Sequence, residues 1–294
     1  MADKVLVATH LSSLYSPSQT TNILVPTSRR NAPLPPLPSE SEPPAEHASF
    51  ASVFHSTQTG TVLIRVIHHG LILELVSMST PTPPIRFVFP AAILPNPAIL
   101  LWHGRELHVL AVTSMGSLYR LVLPLRSPSL LWGEHMGNNW CREYYVRSMQ
   151  DTVQGVVQVQ STHSVAIALN NGSLVRVDTE FVGDDASDDQ WSENVFQHSS
   201  FLSSITHFLH SGSSEGSHVV CVASHPQPTD IGHVWTLSRD RTLRLWTAKT
   251  GCTAARTLPP SMHTGREITP TPGSSVPAKS TVLLDPEPQH LLVV

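Results

Sequence analysis

Short runs in which aliphatic, β-branched or aromatic residues alternate with polar ones recur along the chain, and tight turns separate them. The clearest stretch is His233-Val-Trp-Thr-Leu-Ser-Arg-Asp-Arg-Thr-Leu-Arg-Leu-Trp246, which predicts strands over Val234 to Leu237 and Thr242 to Trp246. Ser238-Arg-Asp-Arg241 bends the chain between them, and Asp240 can hold that bend by accepting backbone N–H groups. In the second strand Leu243 and Leu245 share one face, while Arg244 and Trp246 share the other. Three looser relatives are Gly70-Leu-Ile-Leu-Glu-Leu75, Gly116-Ser-Leu-Tyr-Arg-Leu121 and Gly172-Ser-Leu-Val-Arg-Val177. Each follows a β-rich run, namely Thr61–Ile67, Leu107–Thr113 and Ser164–Leu169. A lone hairpin cannot bury its apolar faces, so the repetition predicts several hairpin-built sheets.

The anchors Gly70, Gly116, Gly172 and Arg241 lie 46, 56 and 69 residues apart. Propeller repeats run at roughly 40–50 residues, whereas a β-sandwich sets strands at roughly 8–12. The spacing therefore favours an all-β chain forming an incomplete WD-like β-propeller of four to five blades across 1–294, with insertions in its loops. The segment Ser-x-Asp-x-Thr-Leu-Arg-Leu-Trp resembles a WD repeat, with Thr247 where the second residue of that signature is usually Asp. Strands are also expected at Lys4–Ala8, Thr21–Val25, Val153–Val159 and Val219–Ser224. Ser280–Leu284 and His290–Val294 begin a further hairpin, and a chain stopping there predicts the N-terminal piece of a longer protein or a truncated gene model. The aromatic-rich stretch Leu130 to Met149 reads as a short helix or an irregular rim segment. Phe201, Leu202, Ile205, Phe208 and Leu209 have helical spacing and predict a short helical insertion over about 196–210.

Three segments read as loops: Pro-rich 31–48, acidic 183–190 and Pro/Ser-rich 259–279. Within the first, Arg30, Pro33 and Pro36 have the form of a weak SH3 ligand, because a preformed polyproline helix with a directing Arg is what such domains bind. At 294 residues and 40% hydrophobic content the chain can bury a large core. A net charge of −4 leaves no basic footprint for a direct nucleic-acid site. Three distant cysteines argue against a disulfide framework and fit a reducing compartment. The apolar run Ala91–Trp102 is broken by prolines and falls short of the ~18 residues a membrane span needs.

Candidate chemistry is sparse, and no enzyme, cofactor or metal site is expected. Gly212-Ser-Ser214-Glu-Gly216 has the letters of a hydrolase elbow, but the predicted element order around it is reversed. His207, His210, Cys221 and His225 lack the paired spacing of a zinc site. Counting an EF-hand loop from Asp184 puts Asp189 and Val195 where Gly and Glu are required. The residues singled out are therefore structural ones of blade turns and strands: His233, Asp240, Thr242, Leu243, Trp246, Gly70, Gly116 and Gly172.

Taken together, Trp235 to Cys252, Val165 to Val177, Trp140-Cys-Arg-Glu-Tyr144 and Ile64 to Leu75 resemble the N-terminal β-propeller of the 120/160 class of nucleoporins. The resemblance implies a seven-bladed propeller followed by a helical region, in a non-catalytic scaffold subunit of the Y-shaped nuclear pore complex. It implies other Y-complex nucleoporins as partners, a place at the nuclear envelope, and a role in nucleocytoplasmic transport. Low charge and Pro-rich loops suggest a fungal-type member. The alternative is a WD-repeat adaptor of another complex, such as a ubiquitin ligase or a trafficking coat.

Overall fold

Because side chains alternate across a strand, a run such as Val-Ala-Ile-Ala can bury both faces only if apolar layers cover the sheet on each side. The computed structural model of the chain describes residues 20–28, 48–56, 60–79, 83–102, 106–124, 140–159, 163–180, 190–197, 218–224, 232–247, 250–258, 282–284 and 291–293. The ordered elements in them are strands: β1 (Thr21–Leu24), β2 (Phe50–Ser56), β3 (Gly60–Ile67), β4 (Ile72–Ser77), β5 (Ile85–Val88), β6 (Ala98–Trp102), β7 (Glu106–Val112), β8 (Ser117–Pro124) and β9 (Cys141–Tyr145). They continue as β10 (Val153–Val159), β11 (Ser164–Leu169), β12 (Leu174–Glu180), β13 (Gln190–Phe196), β14 (Val219–Ser224), β15 (Val234–Ser238), β16 (Thr242–Thr247), β17 (Gly251–Thr257), β18 (Val282–Leu284) and β19 (Leu291–Val293). One 3-10 turn, His68–Gly70, joins β3 to β4.

Four consecutive sheets form from strands in chain order: β2–β5, β6–β9, β10–β13 and β14–β17, with β18–β19 a further pair. Within the first sheet β1 adds to β5 in parallel, pairing Thr21 with Ile85 and Leu24 with Val88. The chain divides into two compact units, one of Met1–Val146 with Phe181–Gln190, the other of Arg147–Glu180 with Trp191–Val294. In the first unit the core draws on both of its sheets: Val62, Ile64, Leu73, Leu75 and Phe87 meet Leu107, Val109, Tyr119 and Leu121. Phe89 and Tyr119 pack edge-on, 5.4 Å between ring centres. In the second unit Val159, Ala166, Ala168, Val219, Val234 and Trp246 form the core, so the facing strands come from consecutive sheets there too. Gly155 on β10 shows how closely they approach, since a Cβ there would stand 2.6 Å from Val222 Cγ1 on β14.

Two expectations change. The aromatic stretch is not helical where it is described: Cys141–Tyr145 is strand β9, hydrogen-bonded along β8. Trp140, just before it, stacks toward Phe87 at 5.8 Å and completes the core. The helical insertion expected to begin near Phe196 starts instead with the end of strand β13, and Phe196 packs against the second core. A Cβ on Gly251 would meet Phe196 Cδ1 at 3.2 Å, so the strand residue is fixed by tertiary contact. Gln197 is not helical either, and from 198 onward the predicted helix lies outside the described residues, as do most of the Pro-rich, acidic and Pro/Ser loops.

Candidate functional site

The repeated structural feature is a turn at one end of three sheets. In Thr113–Ser117, Leu169–Ser173 and Ser238–Thr242 the fourth residue donates its N–H to the carbonyl of the first: Gly116 to Thr113 (3.1 Å), Gly172 to Leu169 (3.1 Å) and Arg241 to Ser238 (2.8 Å). That fourth residue is left-handed in every case, with φ of 82° at Gly116, 86° at Gly172 and 63° at Arg241. This is a type I turn followed by a left-handed residue, which matches the twist of the two strands it joins. The second residue of each turn is tied back to the chain ahead of the sheet: Ser114 to Ala92, Asn170 to Thr152 and Arg239 to His218, each at 2.8 Å. The residue just past the outer strand closes two of these corners, Val146 to Gly116 and Leu258 to Arg241, both at 2.9 Å. Arg241 therefore holds a place that glycine holds in the other two turns, at the cost of a backbone conformation L-residues avoid.

Gly70 belongs to a different turn. Leu71 donates to His68 at 3.0 Å, His69 has φ 54° and ψ 32°, and Gly70 has φ 89°. Two successive left-handed centres make a type I′ turn, which demands glycine or a small polar residue and here places His69 and Gly70. A Cβ on Gly70 would also lie 2.9 Å from the Ile93 carbonyl oxygen.

The WD-like hairpin is held by buried polar contacts. Trp246 is 1% exposed, and its Nε1–H donates to Thr236 Oγ1 at 2.7 Å. On the same face Arg244, also buried, donates to Ser238 Oγ and lies 3.9 Å from Asp240 Oδ2. Burial lowers the Arg244 pKa against the opposing pull of Asp240. Asp240 Oδ1 accepts the Thr242 N–H at 3.0 Å, which fixes the turn from its exposed side. Leu243 and Leu245 are half-buried on the other face, and His233 stands just before β15.

Two carboxylates that no sequence motif marks organise the first unit. Glu74 is 1% exposed at the middle of β4. Arg65 reaches its Oε2 through Nε at 2.7 Å and through a terminal nitrogen, and Arg86 Nε reaches Oε1 at 3.0 Å. These residues face one another across β3, β4 and β5 in register. Glu143 on β9 accepts the Ser28 N–H at 2.7 Å, the Ser28 hydroxyl at 3.0 Å and the Ser117 hydroxyl at 2.7 Å. Burial alone would raise its pKa, but the bonds donated by Ser28, Ser117 and Tyr119 outweigh it and lower the value. Burial and the Glu143 charge push the neighbouring Cys141 thiol up to about 12. Glu143 and Tyr119 border a pocket of about 30 Å³ with Thr27, Ala91, Thr113 and Met115, enough for a water molecule and far below the ~300 Å³ of a small-molecule site.

Among the described residues no group of three His, Cys, Asp or Glu side chains is placed to hold a metal ion, and no helix is long and apolar enough to cross a membrane. Ser214, His207, His210, His225 and Asp184–Asp189 lie outside the described residues, as do Arg30, Pro33 and Pro36. What the geometry offers is a set of mainly antiparallel sheets, with strand β17 exposed from Cys252 to Thr257.

Comparison with known families decides between the propeller types. The family model described as nucleoporin Nup120/160, beta-propeller domain, matches residues 60–294. This chain belongs to that family. The fold class follows: an all-β, WD-like β-propeller, with the described strands gathered into successive sheets and a further hairpin. The nucleoporin propeller has no match among curated proteins. Solved structures with similar folds include BBS1N crystallised with ARL6DN, at 9% identity and TM-score 0.47, over 74% of this chain and 57% of that one. The β-propeller domain of Myceliophteria thermophila Cps50 (Swd1) gives 12% identity and TM-score 0.44, over 72% and 56%. Chaetomium thermophilum Raptor gives 11% and 0.46, over 75% of this chain and 18% of its own. The chain thus spans little more than half the length of the first of these.

Proposed function

We propose that this propeller is a structural docking subunit of the nuclear pore, in the Y-shaped complex, and that it supports nucleocytoplasmic transport and mRNA export without catalysing a reaction. The observation that carries the reading is the family match across residues 60–294. In this reading each four-stranded sheet is one blade, β18–β19 belongs to a fifth, and the N-terminal part of the ring is what the chain supplies. The residues organising the blade corners, Gly70, Gly116, Gly172, Asp240, Thr242 and Trp246 with His233 and Leu243 beside them, act by holding a rigid surface. The partners are other Y-complex nucleoporins, met at the nuclear envelope, with the Arg30-Pro33-Pro36 segment as an accessory ligand for an SH3-type domain. A fungal origin is consistent with the low charge and Pro-rich loops.

Affinity purification of the protein from its native cells, followed by mass spectrometry, tests this. Y-complex nucleoporins recovered in near-equal amounts are expected. Recovery of cullin or coat components in their place would discard the nuclear pore and leave a WD-type adaptor.

A further inference from the structure

The turn between β11 and β12 carries the chain's one Asn-Gly pair, Asn171-Gly172. Asparagine is chemically labile, and a following glycine makes it most so, because no Cβ obstructs the approach of the next backbone nitrogen to the side-chain carbonyl. Asn171 is exposed to solvent, so neither water nor the departing ammonia is hindered. Both reacting groups are engaged in hydrogen bonds in the folded turn. The Gly172 N–H, which would have to attack, donates to Leu169 O at 3.1 Å. The Asn171 Oδ1 accepts the Ser173 N–H at 2.9 Å, fixing the side chain in its turn.

The equivalent turn between β15 and β16 shows what the product would do. There Asp240 occupies the place of Asn171, and its Oδ1 accepts the Thr242 N–H at 3.0 Å. The surrounding bonds also correspond, from Arg241 to Ser238 and from Arg239 to His218. An aspartate is therefore already at home in this geometry, accepting the same hydrogen bond with a full charge.

We propose that Asn171 is a site of spontaneous deamidation, gated by opening of the β11–β12 turn, and that of its two products the fold accepts the aspartate. When the turn opens, the Gly172 nitrogen attacks Asn171 Cγ and loses its proton. The Cγ–Nδ2 bond breaks and ammonia leaves, giving a cyclic imide. Water then opens that ring at one of its two carbonyls. Opening at the backbone carbonyl bond to the imide nitrogen gives isoaspartate, which lengthens the main chain and cannot keep the Gly172 to Leu169 bond. Opening at the side-chain bond gives aspartate, which restores the Asp240-like turn.

The full chain is incubated at neutral pH in native buffer and in denaturant, and its peptides are mapped over time by mass spectrometry. Residue 171 should be the first asparagine converted, at least about tenfold more slowly in the folded protein, because only opened molecules react. Equal rates in the two buffers, or earlier conversion at another asparagine, would overturn the proposal. Asn171→Asp supplies an independent arm. It should unfold at the wild-type denaturant midpoint, and a clearly lowered midpoint would show that the turn does not accept the product.

Discussion

Replacing Glu74 tests how the first unit is held together. Its carboxylate is 1% exposed and takes three nitrogens from Arg65 and Arg86, which keep 15% and 22% of their side-chain surface in water. Removing one member of a buried charge cluster costs about 3–5 kcal/mol, because the remaining charge is left without a counter-ion. Here the two guanidinium groups can recover part of their hydration, which puts Glu74→Ala near 3 kcal/mol, the lower end of that range. Glu74→Gln keeps the shape and one acceptor but loses the charge, and hydrogen bonds to charged groups contribute about 1.5–3 kcal/mol. Urea unfolding followed by far-UV circular dichroism, which reads loss of strand structure in either unit, measures the cost. With a slope of about 1–3 kcal/mol per molar, Glu74→Ala should shift the midpoint down by roughly 1 M or more. Replacing all three charges by apolar residues (Arg65→Met, Glu74→Leu, Arg86→Met) should leave stability within about 1 kcal/mol of wild type or raise it. A Glu74→Ala protein within about 0.5 kcal/mol of wild type, the ordinary scatter of surface substitutions, would refute the reasoning.

Other substitutions probe the turns and clamps. Thr236→Val keeps the volume but strands the buried Trp246 Nε1–H, and should cost about 1–3 kcal/mol in the same assay, whereas Thr236→Ser should retain the acceptor. Arg241→Gly removes a left-handed penalty of roughly 1–2 kcal/mol and gives back roughly 0.4–1 through the more flexible unfolded chain, so a net gain of up to about 1.5 kcal/mol is expected. A loss of stability in Arg241→Gly would show that its side chain outweighs its backbone. Glu143 has a pKa below that of a free carboxyl, so its contribution is present above the ordinary value near ~4.3 and is lost as pH falls through the lower folded one. Urea midpoints taken down through this acid range should therefore fall more steeply for wild type than for Glu143→Gln, and parallel curves would exclude the clamp.

Three strands were legible in the letters: β10, β11 and β14 fall on Val153–Val159, Ser164–Leu169 and Val219–Ser224, where apolar alternation or continuous apolar runs predict them, and β11 is buried along its whole length. The outer strands β9 and β13 were not. β13 reads Gln-Trp-Ser-Glu-Asn-Val-Phe and β9 reads Cys-Arg-Glu-Tyr-Tyr, and both pack only partly, so neither needs a clean apolar period. The turn residues were visible through Gly116, Gly172 and Asp240, yet nothing in the letters separates the type I′ turn at Gly70 from the others. Glu143 was beyond reach, since its partner Ser28 lies 115 positions away. Glu74 left one trace, a charge set inside the apolar run Ile72-Leu-Glu-Leu-Val76.

That trace bears on how the first sheet finds its register. β4 is buried from Ile72 to Val76, on both of its faces, and β3 is buried over Val62, Leu63 and Ile64 and again at Val66 and Ile67. With apolar residues on either face, a slipped pairing would bury nearly as much surface, so hydrophobicity alone specifies the register weakly. The charges do not share that tolerance. Arg65 sits opposite Glu74, and Glu74 opposite Arg86, in the native pairing. A two-residue slip of β4 against β3 keeps every side chain on its face but sets Glu74 opposite Leu63 or Ile67, and leaves a buried carboxylate facing hydrocarbon. The ion cluster thus contributes little net stability while making the alternatives expensive, which is the role best attested for buried charges. The apolar triple variant separates the two effects. It should match wild type in urea yet give additional or broadened amide resonances from β3 and β4 as registers interconvert, and a single sharp native set would mean that packing alone fixes the sheet.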